Sequence, residues 1–392
     1  MITISNIKIV DKENKSRLCA DIENNDKTTT LWYEVNKEYK DFLCYERADA
    51  FLLALLLYSM EKEEDIKIVG TPITSKLYFN LINYIIPVMA KSDKCYHKIN
   101  IFTEISSEKL KNYGANGTGI SRGVDSFDTL KEYTENCIEE MKVNWLTFFN
   151  VGSHGFEGGD ESRKLFQKRR ALSKAFAEKY NFNFIDVDSN ISEYIRQIFV
   201  ETHDFRSMSA VFAIQKLFKN YYYSSGYPIT EFMINTKYIA HFETFLFQCL
   251  SNENLMIYSS GCMRNRIEKV SNIIDYKFAQ DNLNVCFKDE YNCGECEKCI
   301  RTLFEIYANK GIEKFRKVFD VDKFYKSINW YEYMFMKNYY LKKQDYIDTY
   351  NLMKKNNIKI KLKNKIKAFI FISGERILPT DLVKKIKNRR KK

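Results

Sequence analysis

The sequence predicts an α/β protein: a parallel sheet covered by helices on both faces, preceded by a smaller α/β unit. Three observations carry this reading. From about residue 113, apolar strand, turn and helix alternate, and such alternation builds parallel strands joined by helical crossovers. Hydrophobic residues make up 45% and charged residues 29% of the 392, which supports a packed core and excludes wholesale disorder. Only 4 Pro are present, with no Gly/Ser-rich linker and no internal repeat, and the length allows two or three domains of roughly 100–200 residues each.

The elements follow in order. Residues 31–35 read as a strand, 45–64 as a helix, 66–70 as a strand ended by Gly70, 76–90 as a helix that Pro87 kinks, and 99–102 as a strand. Together they make an N-terminal α/β unit over 1–112. Residues 125–141 read as a helix, 145–151 as a strand, 161–180 as a long basic helix and 182–187 as a strand. In such folds ligands bind at the carboxyl ends of the strands, so chemistry is expected in the loops after Ile120, Val151 and Val187. The second domain is drawn as 113–310, followed by a helical region over 311–353 and a basic tail over 354–392.

Charge is uneven. The tail holds 15 Lys and Arg against two acids, Glu375 and Asp381, while the whole chain carries +11, so the body is close to neutral. Residues 366–372 are apolar but for Lys367, between basic flanks. A basic amphipathic segment of this kind suits an anionic membrane surface, nucleic acid or an acidic protein, or is a solvated tail. The first 17 residues lack the layout of a signal peptide, and the longest apolar run, 50–58, falls short of the about 20 residues a membrane span needs. A cytoplasmic location is expected, where ten cysteines favour metal or thiol chemistry over disulfides.

The most informative stretch is Gly117-Thr118-Gly119-Ile120-Ser121-Arg122-Gly123-Val124-Asp125-Ser126. It reads as a strand end, a tight turn and a helix start, where backbone N–H groups and the helix dipole suit an anion. Ser121 and Ser126 add hydroxyl donors. Asp125 beside a phosphate requires a Mg²⁺ ion or a specific hydrogen bond; otherwise it caps the helix. No Gly in the chain is followed by Lys, which excludes a Walker-type loop.

Ser121 to Ser126 resembles the Ser-Gly-Gly-Val-Asp-Ser signature of the PP-loop ATP pyrophosphatases, matching at five of six positions. The resemblance spans about 113–305 and implies a Rossmann-like PP-loop domain, the adenine nucleotide α-hydrolase fold. It implies ATP on Ser121, Arg122, Gly123, Val124, Asp125 and Ser126, with Asp125 and Ser126 catalytic and Mg²⁺ bridging the phosphates. Such enzymes adenylate an oxygen and let a nitrogen or sulfur nucleophile displace AMP. Arg122 departs from the family's Gly. Where that position needs positive φ, an L-residue costs roughly 1–2 kcal/mol; the Arg side chain then either meets a phosphate or obstructs the loop.

Cys286, Cys293, Cys296 and Cys299 form C-x6-C-x2-C-x2-C, with Gly294 letting the backbone turn. Four thiolates at this spacing suit a structural tetrahedral Zn²⁺; an iron–sulfur cluster or a redox pair are the rival readings. A PP-loop followed far downstream by Cys-Gly-x-Cys-x-x-Cys looks like 7-cyano-7-deazaguanine synthase and its relatives. That resemblance implies ATP-dependent conversion of a 7-deazaguanine carboxylate into amide and nitrile with ammonia. No glutaminase segment is visible, so the nitrogen is free ammonia or comes from a partner, and a homodimer is left open.

Further candidates for substrate contact are His154, His203, Arg264, Arg266 and Lys269. Each also has a plainer reading, as a packed histidine or a solvated base. Two alternatives stand beside the leading one: a PP-loop amidating or thiolating enzyme acting on another small molecule, nucleotide or protein, and a non-catalytic nucleotide-binding protein.

Overall fold

The computed structural model describes residues 1–25, 27–155 and 157–377. Its strands are β1 (Ile2–Asp11), β2 (Lys15–Asn24), β3 (Lys27–Asn36), β4 (Ile66–Ile68), β5 (Ile73–Thr74), β6 (Ile101–Phe102), β7 (Ile105–Ser106), β8 (Ala115–Gly119), β9 (Trp145–Asn150), β10 (Asn183–Ser189), β11 (Phe218–Ser224) and β12 (Met256–Ser260). Ten of them form one sheet in the order β12-β11-β8-β9-β10-β3-β2-β1-β4-β6, while β5 and β7 pair separately.

The five strands β12, β11, β8, β9 and β10 are mutually parallel. Counted from β8 in chain order they lie 3-2-1-4-5, so the winding reverses at β8, and the crevice at such a reversal is the usual ligand position. β9 is buried at five of its six residues, as a strand covered on both faces must be. The helix Gly159–Lys179 packs on β9 and β10, and Glu243–Leu250 packs on β12.

The sheet is mostly parallel, but not wholly as expected. β1, β2 and β3 form an antiparallel meander, and β3 pairs antiparallel with β10 through Asp188↔Glu34 and Ser189↔Tyr33. The N-terminal residues 1–112 therefore extend the central sheet instead of closing a sheet of their own. The alternation in Ile2-Thr3-Ile4 is that of a strand paired on one face, and Ile2 and Ile4 are buried.

Several helices are trimmed or broken. The 45–64 expectation becomes Asp49–Lys62, because Asp49 turns inward to accept from Thr74 N (2.9 Å), Thr74 Oγ1 (2.6 Å) and Gln215 Nε2 (3.2 Å). The 76–90 helix splits into Ser75–Asn80, a π-turn at Leu81–Ile85 and Ile86–Ser92. Pro87 sits at the start of the last piece, where its missing N–H costs nothing. The helix after β8 runs Val124–Glu135.

The chain forms two compact units, Met1–Ser121 with Asp128–Arg264, and Arg122–Phe127 with the residues from Asn265 onward. This differs from the sequence boundaries at 112, 310 and 353: the cysteine segment 286–299 belongs with the C-terminal helices. The helix Leu362–Ile377 packs on Ile328–Tyr340 with Ala368 and Ile372 buried, and Asn364 Nδ2 donates to Glu332 Oε2 at 2.7 Å. The expected tail is thus folded as far as Ile377; its remaining residues, 378–392, lie outside the described residues. No helix among the described residues is long and apolar enough to cross a membrane.

Candidate functional site

β8 ends at Gly119, and the helix Val124–Glu135 begins after four intervening residues. The turn between them holds Arg122 at φ 60°, the left-handed region that L-residues avoid. Gly123 supplies the carbonyl that accepts Phe127 N at 3.1 Å, opening the helix, and Ser126 Oγ donates to the same carbonyl at 3.0 Å. Ser121 is exposed, whereas Val124 and Ser126 are buried.

Asp125 lies in the helix's first turn and does not cap it. Its Oδ1 meets Lys269 Nζ at 3.2 Å and its Oδ2 meets Arg266 Nη1 at 3.2 Å. Burial opposes its charge, but Lys269 and Arg266 outweigh burial and hold its carboxyl below the usual carboxylate range. Lys269 is 2% exposed and Asp125 39%, so one side of the pair is sealed and the other opens outward.

The pairing continues inward. Arg266 Nε reaches Glu305 Oε2 at 3.3 Å and its Nη2 donates to Thr302 Oγ1 at 3.3 Å. Arg301 joins Glu305 (3.7 Å) to Asp345. Burial raises the Glu305 carboxyl pKa, and Arg266 and Arg301 partly offset it. Bases and acids thus alternate from Lys269 to Asp345. Arg301, Glu305 and Asp345 were not named as site candidates from sequence; Arg301 and Glu305 are charged positions on the amphipathic helix Glu297–Ala308, and Asp345 lies in the first turn of Gln344–Lys355.

Asn265 begins the next helix with a full capping box to Glu268, which points Arg266 and Lys269 along one face. Arg264, one residue before, is used otherwise. It grips Asp128 through Nε–Oδ1 (3.0 Å) and Nη2–Oδ2 (3.1 Å), and Glu132 at 3.1 Å. That forked pairing makes it a brace inside the first unit.

The two histidines also belong to the first unit. His154 is 7% exposed, its ring against Phe148 and Phe166 and its Nδ1 3.0 Å from Ser153 Oγ. Burial, then Arg169, pushes its imidazole down to about 3, so it packs as a neutral ring. His203 stands 2.8 Å from Asp204 Oδ1 and 3.2 Å from Tyr223 Oη. Burial works against its charge, yet Asp204 and then Glu243 raise its pKa above the ordinary value.

Glu243 is itself buried and accepts from Ser259 Oγ (3.0 Å) and Gly226 N (3.2 Å) beside the carboxyl ends of β11 and β12. Burial, then Asp204, pushes its carboxyl up to about 8. Glu243 was not singled out from sequence, and Asp204 only as the neighbour of the candidate His203. A third pair at the strand ends, Asn150 Nδ2 to Asp188 Oδ1 (2.7 Å), ties β9 to β10.

Cys286, Cys293, Cys296 and Cys299 bring their sulfurs within 4.8 Å of one another and could hold a metal ion. Cys296 caps the helix Glu297–Ala308, its sulfur accepting from Cys299 N at 3.5 Å, and Cys293 Sγ accepts from Cys296 N at 3.4 Å. Gly294 at φ 74° makes the turn, and an added Cβ there would stand 3.1 Å from Tyr331 Oη. Asn292 braces the knuckle, accepting from Val285 N (2.8 Å) and donating to Leu283 O (2.8 Å) and Val318 O (2.9 Å).

No protein-family model, curated protein or solved structure matches this chain.

Proposed function

We propose that the chain binds Mg²⁺–ATP on Ser121 to Ser126 and adenylates a small-molecule carboxylate, with ammonia displacing AMP to form an amide; on the way to a nitrile a second ATP adenylates the amide oxygen, which leaves as part of AMP. The acid is 7-deazaguanine-like on the resemblance of the loop and cysteine motifs. The observation that carries the reading is Asp125 with Arg266 and Lys269, at the helix start that follows the strand where the sheet's winding reverses.

In this reading the backbone N–H groups at the helix start and the Arg266 and Lys269 cations receive phosphate oxygens. Asp125, paired with those cations, would hold Mg²⁺, which would supply charge neutralisation at the phosphates. Phosphate thus takes over the cations that Asp125 gives up. The substrate carboxylate oxygen attacks the α-phosphorus and pyrophosphate leaves. Ammonia then attacks the acyl carbon, and AMP leaves with the former carboxylate oxygen.

The cysteine site suits zinc in a structural role. A tetrahedron with Zn–S near 2.3 Å places its sulfurs about 3.8 Å apart, and Cys286 and Cys296 stand 3.9 Å apart. All four thiols are used, leaving no open position for catalysis.

One observation favours a second reading. The left-handed Arg122, where the resembling signature has Gly, suits a non-catalytic nucleotide binder. Incubation with ATP, ammonia and a panel of carboxylates separates the two. AMP and pyrophosphate release that is lost in Asp125→Asn supports the enzyme. ATP binding without AMP on any carboxylate supports the binder, and absence of ATP binding removes both.

A further inference from the structure

The helix Leu362–Ile377 presents two different faces. Asn364, Ala368 and Ile372 point into the packing against Ile328–Tyr340. Away from that packing, at helical spacing, stand Leu362 (70% exposed), Ile366 (49%), Ile370 (64%) and, at the border, Phe369 (56%), whose ring meets Tyr340 edge-on at 5.5 Å. Four large apolar side chains in one exposed stripe exceed the scattered exposure usual on a protein surface.

Lysines border the stripe. Lys361 and Lys363 are exposed at its start and Lys367 along one flank. Lys365 Nζ lies 5.3 Å from the centre of the Tyr350 ring, and Lys367 Nζ lies 4.9 Å from that of Tyr333. Aromatic rings thus hold two ammonium groups beside the stripe, clear of its centre. Between Lys354 and Ile377 there are eight Lys and Arg against one acid, Glu375.

We propose that this face docks on an anionic bilayer surface, with Leu362, Ile366, Phe369 and Ile370 entering the headgroup boundary and the lysines meeting lipid phosphates and carboxylates. The two chemistries separate the occupants. Nucleic acid rewards the lysines through its phosphates but gives no return for burying Leu, Ile and Phe along a helix. A bilayer surface rewards both: apolar area enters the interface while basic flanks are drawn to anionic lipid.

The full chain is sedimented with phosphatidylcholine vesicles, with vesicles of which about a third is phosphatidylserine, and with a nucleic-acid duplex at the same salt. Partition onto the anionic vesicles is expected to exceed that onto neutral ones by about tenfold or more, and to fall as salt rises. F369S/I370S, at exposed positions outside the buried Asn364, Ala368 and Ile372, is expected to lose about tenfold or more of that binding, and I366S/I370S, which spares the edge-on contact of Phe369 with Tyr340, is expected to lose binding likewise while melting like wild type. K363E/K367E is expected to lose the preference for anionic lipid. Equal or absent partition onto both vesicles overturns the proposal, as does binding that survives F369S/I370S. Preference for the duplex transfers the face to nucleic acid. A vesicle-independent dimer abolished by F369S/I370S transfers it to a second copy of the chain.

Discussion

Arg122 offers the most direct test of the loop. At φ 60° an L-residue is disfavoured by roughly 1–2 kcal/mol relative to glycine. Glycine gives back roughly 0.5–1 kcal/mol of that through its greater freedom in the unfolded chain. Arg122→Gly and Arg122→Ala both delete the guanidinium, so the difference between them isolates the backbone. The net expectation is Arg122→Gly above Arg122→Ala by about 0.5–1 kcal/mol, or about 0.6–1.2 °C in melting temperature for a chain of 392 residues. At a residue with negative φ the order reverses, because alanine then restricts the unfolded chain without strain. Parallel calorimetric melts read the difference, and Arg122→Ala melting at or above Arg122→Gly would refute the left-handed turn. Titration of Mg²⁺–ATP into the same pair extends the test. Tighter binding by both variants assigns obstruction to the side chain; tighter binding by Arg122→Gly alone assigns it to the turn.

Cys296→Ser removes a buried thiol, a metal ligand and a helix cap together; metal analysis should find about one zinc per wild-type chain and well below that in the variant, with a lower melting temperature, and a folded metal-free wild type would refute the zinc assignment. Glu243 and His203 both have folded pKa values above their unfolded ones, so each contributes stability at low pH that is lost as pH rises through the folded value. Stability should decline from about pH 5 to pH 8, and Glu243→Gln should flatten that decline; an unchanged slope would show that Glu243 does not carry it.

Much of the β8–β10 region was legible because parallel strands covered on both faces are near-continuous apolar runs. Expected strands at 145–151 and 182–187 appear as Trp145–Asn150 and Asn183–Ser189. Of the meander only the strand at 31–35 was read, within β3. β2 alternates buried Ser16, Leu18, Ala20 and Ile22 with outward Arg17, Asp21 and Glu23, but its pairing with β3 depends on a register no local pattern states. The pairing of β10 with β3 joins residues more than 150 positions apart.

The site divides in the same way. Asp125, Arg266 and Lys269 were visible as separate candidates, because a strand–turn–helix start and a charged helix start are local patterns. That they pair is a tertiary fact. Arg264 differs from Arg266 only by where the helix start aims it, and sequence could not separate a brace from a ligand. The Arg122 question was legible as a condition on φ, and the structure supplies the angle.

The two-residue contact between β3 and β10 also has a bearing on solubility. An isolated β8–β12 sheet would leave the β10 flank unpaired, and the meander alone would leave β3 unpaired, each a template for another chain. The chain closes these flanks on each other, with Asn190 Oδ1 accepting from Trp32 N (2.9 Å), Asn190 Nδ2 donating to Thr30 O (2.9 Å) and Ser189 Oγ donating to Trp32 O (2.8 Å) beyond the short ladder. Cutting the chain after residue 112 would therefore do more than remove an appendage: it would manufacture a sticky border, and the shortened protein should aggregate even with every residue from Ser121 to Ser126 intact.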